Sequence, residues 1–265
     1  MDDRPIGIFD SGVGGLTVLK ELKKVFPNES FIYYGDTARV PYGLKSKKTV
    51  TRYAIQIINF LLKKDVKLIV VACNTVSSNS IPILKKLFPI PIIGVIEPGV
   101  NLAVSLTKNK KIGVIGTPAT IKSHKYKSFL LKKNKNIKVF EKACPLFVPL
   151  VEEGWLNSPI TYEVIKTYLS DIKKENIDTL ILGCTHYPLL APLIQKYLPK
   201  VSLINSGYSI ALKIKDILKK NNLYSSKKKK IKDEYYVSDL TPNFLKIAEM
   251  ILNKKINKIK VYPFE

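Results

Sequence analysis

The feature that most constrains this chain is an alternation of short apolar runs with helical patterns that starts twice, in the same order and with similar residues. The first series opens with the β-like run Pro5 to Asp10, a glycine-rich turn from Ser11 to Gly15, and a helical pattern from Leu16 to Val25 that stops before Pro27. Phe31 to Tyr34 is a second strand, Lys47 to Lys64 a long amphipathic helix, Val66 to Ala72 an apolar strand, and Ile92 to Val95 closes the series. The order then restarts with the strand Lys111 to Ile115, a helix over Ala119 to Lys132, the strand Ile137 to Phe140, a helix from Thr161 to Lys174 behind Ser158-Pro159, and the strand Thr179 to Leu182. Strands and helices alternating at these lengths predict parallel sheets joined by crossover helices.

Two stretches also match residue by residue, as an internal duplication would. Ile6-Gly7-Ile8-Phe9-Asp10-Ser11 parallels Ile112-Gly113-Val114-Ile115-Gly116-Thr117, and Val70-Val71-Ala72-Cys73-Asn74-Thr75 parallels Ile181-Leu182-Gly183-Cys184-Thr185-His186. Each half therefore ends one strand in a hydroxyl residue and another in cysteine. The expected fold is α/β, with two pseudo-duplicated domains, mainly parallel sheets and an active site in the cleft between them. After Tyr208 the pattern changes to a helix from Ser209 to Lys220, a lysine-rich connector from Asn221 to Lys230 read as a mobile surface loop, the strand Tyr235 to Val237, a helix opened by Thr241-Pro242, and a last strand Lys258 to Tyr262. We expect residues 1–97 with 208–265 to form one α/β domain and residues 98–207 the other.

Composition narrows the function classes. No apolar run approaches the roughly 18 residues of a membrane span. The start Met1-Asp2-Asp3-Arg4 lacks the basic-then-apolar pattern of a signal peptide, so the expected location is the cytoplasm, with no membrane partner. The formal charge of +23 comes almost wholly from lysine, since Arg4, Arg39 and Arg52 are the only arginines among 44 basic residues. Nucleic-acid surfaces favour arginine forks with interleaved aromatics, whereas these lysines are scattered over helix faces, so a nucleic-acid partner is not expected. Three cysteines, without C-x-x-C or metal-like spacing, give neither a disulfide framework nor a structural zinc site, and no metal is expected.

Free thiols remain. Cys73 and Cys184 each follow a buried parallel strand, where open α/β sheets bind ligands and a helix N-terminus begins. An ordinary thiol has a pKa near 8.5, and a helix terminus or an imidazolium lowers it. His186 lies two residues after Cys184 while Cys73 has no histidine nearby in sequence, so the two thiols should be tuned differently. A lone buried cysteine is commonly a small hydrophobe, and Cys144, which has no duplicate, is read so. Two in duplicated contexts, each followed by hydrogen-bonding residues, point to chemistry. The turn with Gly12, Gly14 and Gly15 lacks the Walker lysine and the dinucleotide spacing, though a carboxylate could use its amides. Asp10 is either a charge partner for an ammonium group or a turn-capping aspartate.

The blocks Phe9-Asp10-Ser11-Gly12-Val13-Gly14-Gly15, Tyr34-Gly35-Asp36-Thr37-Ala38-Arg39-Val40-Pro41-Tyr42-Gly43, Ala72-Cys73-Asn74-Thr75, Gly116-Thr117-Pro118-Ala119-Thr120 and Leu182-Gly183-Cys184-Thr185-His186-Tyr187-Pro188 resemble those of the glutamate racemases, in order, from about Pro5 to about Gly207. The resemblance implies interconversion of L- and D-glutamate without a cofactor, supplying the D-isomer for peptidoglycan. It implies that Cys73 takes the α-proton of D-glutamate and Cys184 that of L-glutamate, with Asp10, Glu152 and His186 as supporting acid/base groups. It places Asp10, Ser11, Tyr42, Gly43, Asn74, Thr75, Thr117, Thr120, Thr185 and His186 around the substrate. The partners expected are the small-molecule substrate and a second copy of the chain in a homodimer. Because the first strand begins almost at the N-terminus, control by a cell-wall precursor through an N-terminal extension is not expected. The competing readings are an aspartate racemase with a shorter pocket, a basic nucleic-acid-associated protein, and a cysteine hydrolase using Cys184 and His186, which leaves Cys73 without a task.

Overall fold

Four of the apolar runs, Ile6–Asp10, Phe31–Gly35, Leu68–Val71 and Thr179–Gly183, become strands buried at every position, as parallel strands covered on both faces are. A computed structural model describes residues 1–226 and 232–264. The lysine run 227–230, and with it the expectation of a mobile connector there, lies outside the described residues. In the first series the strands are β1 (Ile6–Asp10), β2 (Phe31–Gly35), β3 (Leu68–Val71) and β4 (Ile92–Gly94). In the second they are β5 (Lys111–Gly116), β6 (Lys138–Ala143), β7 (Thr179–Gly183) and β8 (Ser202–Asn205). The tail adds β9 (Glu234–Val237) and β10 (Lys260–Val261).

The described strands form two sheets, one in the order β10-β9-β2-β1-β3-β4 and one in the order β6-β5-β7-β8. Every pairing is parallel. The duplicated motifs occupy equivalent neighbours: β1 pairs β3 with Phe9 opposite Val71, and β5 pairs β7 with Gly116 opposite Gly183. This register brings Asp10 and Ser11 beside Cys73 at the carboxyl end of one sheet, and Thr117 beside Cys184 at the carboxyl end of the other.

Helices cover both faces. On the first sheet, Gly15–Val25 buries Leu16, Val18, Leu19 and Leu22 in one cluster with Ile210, Ala211, Ile214 and Leu218 of the helix Ser206–Lys220. On the opposite face, Lys47–Leu62, capped by Ser46 accepting from the Thr49 amide, packs Ile57, Ile58 and Leu61 against Ile69 and Val71. The second sheet lies between Pro159–Lys174 with Ala191–Tyr197 on one face and Ile96–Leu106 with Lys125–Lys133 on the other. A buried ion pair ties distant segments together. The Lys67 ammonium donates to Glu29 Oε2 at 2.6 Å and to the carbonyls of Asp2 and Leu223 at 2.7 Å each. Among the described residues, no helix is long and apolar enough to cross a membrane.

Several elements differ from the sequence reading, among them the helices Ile96–Leu106 and Ala191–Tyr197, which it did not name. The helix expected over Ala119 to Lys132 is two helices, Pro118–Lys122 and Lys125–Lys133, separated where His124 adopts a left-handed backbone at φ 49°. No glycine or proline marks this break; His124 is held instead by its ring nitrogen against Glu141 Oε2 at 2.7 Å. The strand Ser202–Asn205 was not anticipated, because it is short and partly exposed and so shows no apolar run.

Candidate active site

Cys73 caps the N-terminus of the helix Asn74–Asn79, directly after β3 and the connecting Ala72. Its Sγ lies 3.9 Å from Ser11 Oγ, and only 4% of the residue is exposed. Burial pushes the thiol up to about 12, and the Asp10 carboxylate adds to the shift against the opposing pull of the Val76 amide. Cys184 follows β7, as buried as its counterpart, with Sγ 3.8 Å from His186 Nδ1. The other ring nitrogen, Nε2, meets Glu152 Oε1 at 2.6 Å. Burial disfavours the charged imidazolium, but its bonds to Cys184 and Glu152 outweigh that and hold His186 well above its ordinary value. The two thiols thus have different neighbours, a serine hydroxyl beside Cys73 and an imidazole beside Cys184.

Asp10 is wholly buried behind the glycine-rich turn. Its Oδ2 accepts from the amides of Gly15 at 2.9 Å and Gly12 at 3.3 Å, and its two oxygens lie 3.2 and 3.3 Å from the Thr185 hydroxyl on the opposite lobe. The turn amides that could have received a ligand carboxylate therefore receive this carboxylate of the chain itself. Burial raises the Asp10 pKa, against the pull of His186 and of these bonds. Gly14 and Gly43 are sites of close approach: a Cβ on Gly14 would lie 2.5 Å from both His186 Nδ1 and Thr185 Oγ1, and one on Gly43 would lie 2.5 Å from Thr117 Cβ.

Ser11, Tyr42, Gly43, Cys73, Asn74, Thr75, Thr117, Cys184, Thr185 and His186 line one cavity of about 20 Å³, together with Val40, Pro41 and Val148. Three expected residues stand outside its wall. Thr120 lies behind Thr117, whose hydroxyl it meets at 3.0 Å; Thr75 Oγ1 is 3.0 Å from Thr117 Oγ1, so three hydroxyls from two lobes form one cluster. Asp10 supports from behind, and Glu152 reaches the site only through His186. Tyr42 contributes its ring, because its hydroxyl donates to Asp36.

The sequence profile of the family described as Asp/Glu/Hydantoin racemase matches residues 14–211. The chain belongs to that family. A glutamate racemase of Persephonella marina is 49% identical over 97% of this chain and 96% of its own length, and one of Geobacter metallireducens is 45% identical over 97% and 95%. Among solved structures, glutamate racemase from Francisella tularensis, in complex with D-glutamate, superposes with a TM-score of 0.93 at 41% identity, covering 99% of this chain and 98% of that one. As a member of this racemase family, the chain is an isomerase.

Sequence reasoning missed residues that support the candidate site. Asp36 lay within a quoted block but was assigned nothing, although it accepts from Tyr42 and from Arg39 Nε at 2.7 Å and so braces the loop that carries Gly43. Tyr126 carried no signal at all, yet its hydroxyl donates to Asn74 Oδ1 at 2.6 Å across the lobes. Cys144, read as structural, is buried in the core of the second sheet.

Proposed function

We propose that this chain is a glutamate racemase in which Cys73 and Cys184 act as the two acid/base groups on opposite faces of the substrate's α-carbon. The observation that carries the reading is that both thiols, each at a strand end of its own sheet, line one small buried cavity among hydroxyl and amide donors. The α-proton of an amino acid is a very weak acid. Its removal needs a base, and the carbanion needs aimed donors in a water-poor site. One cysteine, as thiolate, takes the α-proton while the other, as thiol, gives its proton to the opposite face. The product is inverted, and the proton inventory of the two thiols is exchanged.

The supporting roles follow from position. Ser11, Asn74, Thr75, Thr117 and Thr185 supply donors for two carboxylates, Thr120 holds the Thr117 hydroxyl, and Gly43 admits the close approach of the backbone. His186, held by Glu152, stabilises charge at Cys184, and Asp10 sits between the Cys73 segment and Thr185. A cavity of about 20 Å³ holds roughly one water, so glutamate enters only when its walls part. Those walls come from two units, and we assign residues 1–97 with 208–265 to one moving body and residues 98–207 to the other. Supply of D-glutamate for peptidoglycan in the cytoplasm belongs to the same reading. So does a homodimer, for which Leu146, Trp155 and Ile160 present exposed apolar side chains.

The test is a circular-dichroism time course with each enantiomer of glutamate and of aspartate. Both glutamate signals should decay to zero, with aspartate turning over about 10- to 200-fold more slowly, the worth of one methylene. Faster turnover of aspartate would make the chain an aspartate racemase.

A further inference from the structure

We propose that Tyr126 is a positioning residue of the racemase, which turns the side-chain amide of Asn74 so that its NH₂ group faces the substrate's carboxylate. The proposal rests on the glutamate-racemase reading above. Asn74 follows Cys73, is 2% exposed and lines the cavity. Its Oδ1 accepts from the Tyr126 hydroxyl at 2.6 Å, and its Nδ2 is buried with no partner in the protein. Buried donors are nearly always paired, so an unpaired NH₂ on the wall of a ligand cavity is a donor kept for the ligand. An anionic oxygen is the acceptor that fits it.

Which end of the amide faces the cavity depends on the phenol. A hydroxyl can donate to an amide oxygen or accept from an amide nitrogen, and the second choice would turn the oxygen of Asn74 toward an anionic substrate. Burial keeps Tyr126 in its neutral, donating form. The ring itself is fixed. It follows the left-handed His124, is 1% exposed, and lies where a Cβ on Gly183 would be 3.2 Å from Cε2 and one on Gly99 would be 3.7 Å from Cε1. Gly183 precedes Cys184, and Asn74 follows Cys73. One phenol therefore touches both thiol-bearing segments, and its bond to Asn74 joins a helix of the second sheet to a helix of the first.

The experiment compares Tyr126→Phe, Asn74→Ala and the double variant by steady-state racemisation of both enantiomers, with thermal midpoints measured alongside. Tyr126→Phe should raise KM about tenfold with kcat changed little, since the amide is then free to present its oxygen. In the Asn74→Ala background the same change should add nothing, because the phenol acts through the amide. An unchanged KM in Tyr126→Phe, or an equal loss in both backgrounds, overturns the proposal. Should Tyr126→Phe not fold, Asn74→Asp replaces it. Aspartate still accepts from the phenol but offers no donor, so KM should rise at least tenfold with the thermal midpoint held, and an unchanged KM overturns the proposal. Wild-type protein that does not racemise glutamate would instead defeat the reading on which this one rests.

Discussion

At the scale of single residues, three cysteines are all buried and unequally placed. Cys73→Ser and Cys184→Ser should each lower racemisation in both directions by the roughly 10²- to 10⁴-fold of a lost general acid or base, or by more. Cys144→Ser should leave turnover near wild type, since Cys144 does not line the cavity. With its thiol pushed up to about 12, unliganded Cys73 at pH 8 is ionised to roughly one part in ten thousand. Its alkylation by iodoacetamide, followed by peptide mass spectrometry, should be slow at pH 8 and rise about tenfold per pH unit; labelling at the rate of a free thiol would contradict the assignment. The same shift acts on stability. The native thiol keeps its proton to higher pH than the unfolded chain, so this contribution is full below the ordinary thiol value and is lost as pH rises from there toward about 12. His186, also raised, contributes below its ordinary 6.5 and loses that contribution as pH rises through its native value. Thermal midpoints should therefore fall on the alkaline side, with Glu152→Gln lessening the histidine part of the slope.

At the scale of elements, the duplicated strand ends were legible in the sequence because β1 and β5, and β3 and β7, repeat both residues and role. The paired cysteines, Ser11, Thr117 and Thr185 could be named from that repeat. The closeness of the two lobes was legible only as glycine. Gly14→Ala and Gly43→Ala should each overpack the interface, costing about 1–3 kcal/mol of stability and lowering kcat/KM, because the neighbours are His186, Thr185 and the branched Thr117 rather than flexible chain ends. Wild-type kcat/KM in both variants would show that the lobes do not need this approach. Partners across the fold were not legible: Asp36 bracing Tyr42, Glu152 orienting His186 and Tyr126 holding Asn74 are contacts between residues distant in sequence. The break at His124, which sets the start of the helix carrying Tyr126, left no mark in the apolar periodicity.

For the whole molecule, the alternating pattern dictated two parallel sheets, and the carboxyl ends of those sheets hold the candidate site. The charge of +23 entered none of these steps, consistent with lysines on solvated faces. One buried lysine does matter, since Lys67 joins β3 to Glu29, to the N-terminus and to Leu223. Lys67→Met leaves Glu29 buried without its cation and should cost about 3–5 kcal/mol in denaturant melts while kcat stays near wild type. The central claim concerns the whole molecule too, because one thiol comes from each sheet. It is tested most directly by racemisation in deuterated water, sampled early and read as α-deuterium in each enantiomer separately. Two thiols on opposite faces predict solvent deuterium in the inverted product from the first turnovers, with unreacted substrate still carrying its original proton. Early deuterium in the unreacted enantiomer, or original proton retained in the product, would mean a single base on one face and contradict the account.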